Sequence, residues 1–159
     1  MANTYPIVIR EQPSNNPVDY RFATLEAAAN NGILVKLAAK ESTRDVYAAT
    51  TTFTPASDEL WLVTGVELQY EAGKTIGDYQ NPANKPFRVE RVKAGGIYAI
   101  SADGLTNGAT CTTGQLALAV TGGKIKVAAS AGSGESAIGT VVDKFTRGGI
   151  AFVSIRFDA

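Results

Sequence analysis

Three short stretches of the chain carry residue types that could do chemistry. Gly73-Lys74-Thr75 has the lysine and hydroxyl that close a phosphate-binding loop, where backbone amides and an ammonium would cradle a nucleotide. That motif also needs a glycine five positions before Gly73, where this chain has Leu68, and a helix afterwards, where it has Ile76-Gly77-Asp78. Gly134-Glu135-Ser136 begins like a nucleophile elbow, but position 138 is Ile rather than Gly. Paired carboxylates can divide the acid and base roles of glycoside hydrolysis. Asp58 with Glu59 and Glu67 with Glu71 are the candidates, and their turn and alternating-strand settings read as solvated side chains. Asp103-Gly104 offers an oxygen that calcium could use, yet the pair is ordinary hairpin-turn chemistry.

Composition narrows this further. The 159 residues include no histidine, which excludes Ser-His-Asp and Cys-His catalysis, histidine metal or haem ligation and a histidine pH switch. Cys111 stands alone, so no intramolecular disulfide staples the fold. Fifteen basic and fifteen acidic side chains cancel, so the chain as a whole lacks the basic footprint of a nucleic-acid binder. Apolar runs of only a few residues give nothing that spans a bilayer. The opening Met1-Ala2-Asn3-Thr4-Tyr5-Pro6 lacks the basic and apolar segments of a signal peptide, which leads us to expect folding in a reducing cytoplasm. No cofactor, metal or catalytic residue is expected. Residues 1–80 carry six basic and ten acidic side chains and residues 81–159 nine and five, giving halves of −4 and +4. The signs either interleave on the folded surface or drive association between copies.

The elements that must position these residues read as β structure. Residues 1–20 hold Pro6, Pro13 and Pro17 around the short run Ile7-Val8-Ile9 and read as an extended N-terminal arm, with residues 21–159 as a single β-rich domain. Residues 24–31 predict one short helix, with Thr24 as its cap, three alanines inside it, Gly32 closing it and Phe22 and Leu25 as its docking contacts. Strands are expected at 33–38, 46–53, 60–70 with an interruption at Gly65, 87–92 and 97–101, with a long surface loop at 71–86. Residues 115–129 predict a hairpin turning at Gly122-Gly123, in which Val120 faces Ile125, Leu118 faces Val127 and Leu116 faces Ala129. That register puts the large apolar side chains on one face and Ala117, Ala119 and Lys126 on the other. Residues 128–136 read as a flexible loop, and 137–142 with 149–157 as a second strand pair joined through 143–148. The whole is a mainly β protein, a small barrel or sandwich. Trp61 reads as core, while Tyr5, Tyr20, Tyr70 and Tyr79 sit in the arm or near loop edges, where tyrosine also serves interfaces.

The stretch Asp58-Glu59-Leu60-Trp61-Leu62-Val63-Thr64-Gly65-Val66-Glu67-Leu68-Gln69-Tyr70, a loop, and then Phe87-Arg88-Val89 through Gly95-Gly96-Ile97-Tyr98-Ala99-Ile100-Ser101 resembles the small structural proteins of tailed-bacteriophage heads. The closing Ser136-Ala137-Ile138-Gly139-Thr140-Val141-Val142, followed by Gly149-Ile150-Ala151-Phe152-Val153-Ser154-Ile155, is similar to the end of capsid decoration proteins. The resemblance spans residues 58–157 and is one of pattern rather than of an invariant motif. It implies a non-enzymatic cement protein on the outer capsid surface of the virion, commonly a homotrimer, bridging neighbouring copies of the major capsid protein. Neither nucleic acid nor membrane is expected as a partner. The arm residues Tyr5, Ile7, Val8 and Ile9 would contact capsid or a sister subunit by strand addition, or Ile7 and Ile9 would pair within their own domain. Tyr20 and Tyr79 are the expected interface aromatics. Two other classes fit the same residues: a phage tail or tube subunit, and a carbohydrate-binding or adhesive module using Trp61 or Tyr79 as its platform.

Overall fold

The computed structural model describes residues 5–12, 19–65 and 76–158 and is mainly β. Its strands are β1 (Val8–Gln12), β2 (Tyr20–Thr24), β3 (Leu34–Lys40), β4 (Tyr47–Thr50), β5 (Trp61–Val63), β6 (Phe87–Arg91), β7 (Ile97–Ser101), β8 (Leu116–Ala119), β9 (Lys126–Ala128), β10 (Ser136–Arg147) and β11 (Ile150–Phe157). Strands β2-β4-β3-β5-β6 close into a barrel, and β1-β7-β11-β10-β8-β9 form a six-stranded sheet. The barrel is thus a contiguous stretch inserted between the first and second strands of the sheet.

Period-two alternation builds both units. In β6, Phe87 and Val89 point into the barrel with Val35, Trp61 and Val63, while Arg88 and Glu90 point out. Across the barrel's outer wall, Leu34 pairs with Leu62, Leu62 with Glu90, and Glu90 with Tyr20. The leucine end of that row joins the core beneath the sheet, with Ile100, Val153, Ile155 and Phe157. A smaller cluster on the sheet's outer face gathers Ile7, Ala99 and Phe152, with Phe145 stacked on Phe152 at 5.3 Å.

The segment expected as an arm supplies β1, which pairs antiparallel with β7 in its own sheet. The expected helix at 24–31 is absent. Thr24 ends β2, Ala29 exchanges backbone hydrogen bonds with Asn81 at 2.9 and 3.0 Å, and the Asn84 N–H donates to Leu25. An eight-residue helix gains too little from its own few bonds, and here tertiary partners satisfy the same backbone groups. Helical structure among the described residues is limited to two 3₁₀ turns, Ile76–Asp78 and Ala102–Gly104. Part of the expected surface loop is therefore interior, since Asn81 is buried; residues 71–75 lie outside the described residues, as do 66–70 of the expected long strand.

The hairpin at 115–129 exists, but its register is shifted by one residue: Leu116 pairs with Ala128, Ala117 with Val127 and Leu118 with Lys126. Ala117, Ala119, Ile125 and Val127 therefore face the main core, and Leu116 and Leu118 lie on the other face, where Leu118 is nonetheless fully buried. The cause is the barrel. Leu34 donates to the Gly123 carbonyl at 2.7 Å and Gly122 donates to Thr51 at 2.9 Å, which draws the turn out of a tight two-residue loop. Small alanines suit an interior already filled by Leu34, Phe53 and Leu60. Residues 143–147 of the expected loop are strand instead, because Gly148 and Gly149 take the two positive φ angles, 59° and 80°, of a tight hairpin turn.

The charge asymmetry along the chain dissolves on folding. Described barrel residues 19–65 and 76–93 carry eight basic and eight acidic side chains, because Lys85, Arg88, Arg91 and Lys93 fold with the acidic first half.

Two outcomes follow. A Cβ on Gly123 would lie 2.6 Å from the Leu34 carbonyl at φ +87°, whereas one on Gly122, at φ +93°, meets open space. Gly123→Ala is expected to cost about 3 kcal/mol and Gly122→Ala about 1 kcal/mol in urea unfolding, and equal costs would refute the barrel contact as the register-setting element. Deleting residues 2–16 removes β1 and buried Ile7, so circular dichroism should show an unfolded product.

Candidate functional site

The outward side chains of β6 meet the sheet at a seam. Glu90 is 3% exposed. Its Oε1 accepts from Arg10 Nη2 of β1 at 2.6 Å and from Arg88 Nη2 at 2.7 Å, and its Oε2 accepts the Tyr98 hydroxyl of β7 at 2.7 Å. One carboxylate thus joins the barrel to two strands of the sheet. Burial, then the neighbouring carboxylate, push the Tyr98 phenol well above its ordinary range.

Beside this seam the wall is exposed. Tyr20 and Phe22 are the large hydrophobic side chains most open to solvent among the described residues, at 51% and 46%. They stand on one face of β2, opposite Glu90 and Arg88, with rings edge to face at 6.2 Å. The Arg88 guanidinium lies 5.2 Å from the centre of the Tyr20 ring. Strand β4 begins at Tyr47, paired with Ala23, so residues 20–22 run past it. The opening is a groove of about 500 Å³ lined by Asp19, Tyr20, Arg21, Phe22, Asp45 and Tyr47. Arg21 pairs with Asp19 at 2.8 Å and lies over Trp61 at 5.9 Å, and Asp45 pairs with Lys40 at 2.9 Å. This face can bury aromatic surface and offer a cation, which is the composition of protein-binding patches.

Of the expected interface residues, only Tyr20 lies in this patch. Tyr5 is half-buried and its N–H donates to Gly77 at 2.8 Å. Ile7 is buried against Ala99 and Phe152, Ile9 packs on the same cluster, and Val8 packs toward the main core. Tyr79 is half-buried. Trp61, at 5% exposure, is interior and cannot serve as an exposed platform. Phe22, Arg88, Glu90 and Arg10 were missed as a site. The alternation in Phe87-Arg88-Val89-Glu90 puts Arg88 and Glu90 on one face, and the alternation in Tyr20-Arg21-Phe22 does the same for the rings; the expected helix at 24–31, with Phe22 as its docking contact, hides that second signal.

The chemical motifs resolve into structural roles where they are described. Asp58 accepts from Lys36 at 2.8 Å and from the Thr54 N–H at 2.7 Å, which holds its carboxyl below the usual range, while Glu59 pairs with Arg91. Glu135 is likewise held low by Lys126 and the Gly132 N–H. The Cys111 thiol is buried, which raises its pKa, and it donates to the Gly108 carbonyl. Gly73-Lys74-Thr75 and the Glu67/Glu71 pair lie outside the described residues, among which no acidic, cysteine or histidine cluster could hold a metal ion. No protein-family model matches the chain, and no curated protein is significantly similar to it.

Glu90→Gln would leave two guanidiniums without their shared charge and should cost about 3 kcal/mol in urea unfolding. Tyr98 gives a pH signature. Its folded pKa exceeds its unfolded value of about 10, so stability is full below pH 10 and falls as pH rises, because the unfolded phenol releases its proton first. Tyr98→Phe should lower stability by about 1.5–3 kcal/mol at neutral pH and flatten the decline between about pH 10 and 11. An unchanged alkaline slope would show that Tyr98 does not set it.

Proposed function

We propose that this protein is a non-enzymatic structural component of a virion, made in the bacterial host cytoplasm, that binds the outer surface of a tailed-phage capsid and cements neighbouring major capsid subunits, acting as a homotrimer. The observation that carries the reading is the exposed Tyr20/Phe22 pair with Arg88 beside it, on a rigid barrel wall. Two neighbouring aromatic rings held at about half exposure present apolar surface that a lattice of capsid subunits would cover. The resemblance of residues 58–157 to phage-head proteins supplies the partner class. Weak single contacts suffice in that setting, since a trimer engaging several subunits at once gains affinity through effective concentration. The fold needs no disulfide, which suits assembly in a reducing compartment.

A second reading draws on the same groove, where Tyr20, Phe22 and Tyr47 line up with Asp19, Arg21 and Asp45. Aromatic faces with flanking hydrogen-bonding groups also suit a sugar, as in an adhesive module. The tail or tube reading has no observation of its own in its favour.

The test is light scattering coupled to size exclusion, then sedimentation with expanded empty heads of the phage that encodes the chain. A trimer that sediments only with heads is expected, and the Tyr20→Ser/Phe22→Ser double variant should lose at least about tenfold in affinity while its melting temperature stays close to wild type. Wild-type protein left in the supernatant would sink the cement reading. Rings or tubes formed without heads would replace it with the tail reading, and protein that ignores heads but binds cell-surface glycans would replace it with the adhesive one.

A further inference from the structure

We infer that the Tyr20/Phe22 face takes a protein segment presenting a carboxylate between apolar side chains, and that Arg88 is the group that selects the carboxylate; this rests on the reading of the face as a protein-binding surface. Arg88 is held where such a segment would pass. Its side chain is 31% exposed, its guanidinium lies 5.2 Å from the Tyr20 ring, and the residue stands opposite Phe22 across the β2–β6 ladder.

The charge around Arg88 favours an incoming anion. Among the described residues its carboxylate is Glu90, which is buried in the seam and cannot swing outward. The Glu90 oxygen that meets Arg88 at 2.7 Å also meets Arg10 at 2.6 Å, and the other oxygen is taken by Tyr98. Arg88 therefore holds half a share in one charge. The groove's own carboxylates are occupied elsewhere, Asp19 by Arg21 and Asp45 by Lys40. A guanidinium has five N–H donors in a planar fork; in Arg88 an Nη2 donor is committed to Glu90 and Nε is buried, so the donors left for a second carboxylate are those of the Nη groups. An ammonium or guanidinium on the partner would instead meet the like charge of Arg88. The apolar flanks follow from the rings, because a carboxylate alone would leave Tyr20 and Phe22 uncovered and Arg88 fully solvated, where an ion pair gains little.

The probe is a capped tripeptide, N-acetyl-Leu-Glu-Leu-amide, compared with its Gln and Lys counterparts and titrated into the ¹⁵N-labelled full chain. Expected are shifts confined to the Tyr20 and Phe22 amides and the Arg88 Nε–H, affinity for the Glu peptide about threefold above the Gln peptide, and weakest binding of the Lys peptide. Raising salt from about 0.05 to about 0.5 M should erase the Glu preference. Arg88→Gln should equalise the Glu and Gln peptides. Should that variant unfold, Tyr20→Ser/Phe22→Ser, which alters exposed rings only, should abolish the shifts for all three. A Lys peptide that binds as well as the Glu peptide, or a Glu peptide that leaves this face unmoved, overturns the inference. The capsid reading fails separately, if heads do not bind a chain that still discriminates the peptides; it survives if heads bind while the peptides are not discriminated.

Discussion

Glu90 is a carboxylate taken almost wholly out of water, and such a group is tolerated only with partners that replace its hydration. Its three partners come from β1, β6 and β7, so the requirement can be met only when the barrel wall lies against the first two strands of the sheet. Apolar packing alone would allow the two units to slide, since leucines and valines have no preferred direction. A buried charge with fixed hydrogen-bond geometry removes that freedom. We read the cluster as a device for registering the barrel on the sheet more than as a source of net stability, which buried ion pairs seldom supply. Tyr98 extends the link inward, because its ring packs at 5.6 Å on Phe157 of the last strand while its hydroxyl reaches Glu90.

Beside this cluster an aromatic surface is left exposed. In the row Leu62–Glu90–Tyr20 the first two side chains are buried and Tyr20 is open to solvent, with Phe22 beside it on the same face of β2. Tyr20 and Phe22 share the outer face of the barrel with Glu90 and Arg88, because directly paired residues of neighbouring strands point to the same side. In the proposed cementing role this means that the binding surface and the barrel–sheet seam share residues, with Arg88 serving both.

The topology also decides what the amino-terminal segment can do. Because the barrel is inserted between β1 and β7, the sheet is incomplete until the chain has returned from building it. Ile7 then closes the small outer cluster with Ala99 and Phe152, and its N–H donates to the Ser101 hydroxyl at 2.9 Å. Residues committed in this way belong to the fold, and in the proposed role the exposed barrel wall is the surface left for recognition. The Gly122-Gly123 turn plays the matching part from the other side, since its backbone bonds to Leu34 and Thr51 hold the β8–β9 hairpin against the barrel.

By itself the sequence determined the β class, most strand positions, the absence of histidine and disulfide chemistry, and the core placement of Trp61, because each depends on residue type or on local alternation. The strands β3 and β6 were legible in that way, as was the final strand within a sheet. Only the tertiary structure decided the rest. Residues 24–31 have helical propensity, yet Asn81 and Asn84 supply their backbone partners from more than fifty positions away. The β8–β9 register follows hydrogen bonds to Leu34 and Thr51 rather than the pattern of its own apolar side chains. The candidate site was half visible: Tyr20 was singled out, but its grouping with Phe22, Arg88, Glu90 and Arg10 joins three strands whose proximity no local pattern encodes. Alternation states which side chains share a face of one strand, and only the packing of that strand states whether the face meets water, a core or another charge.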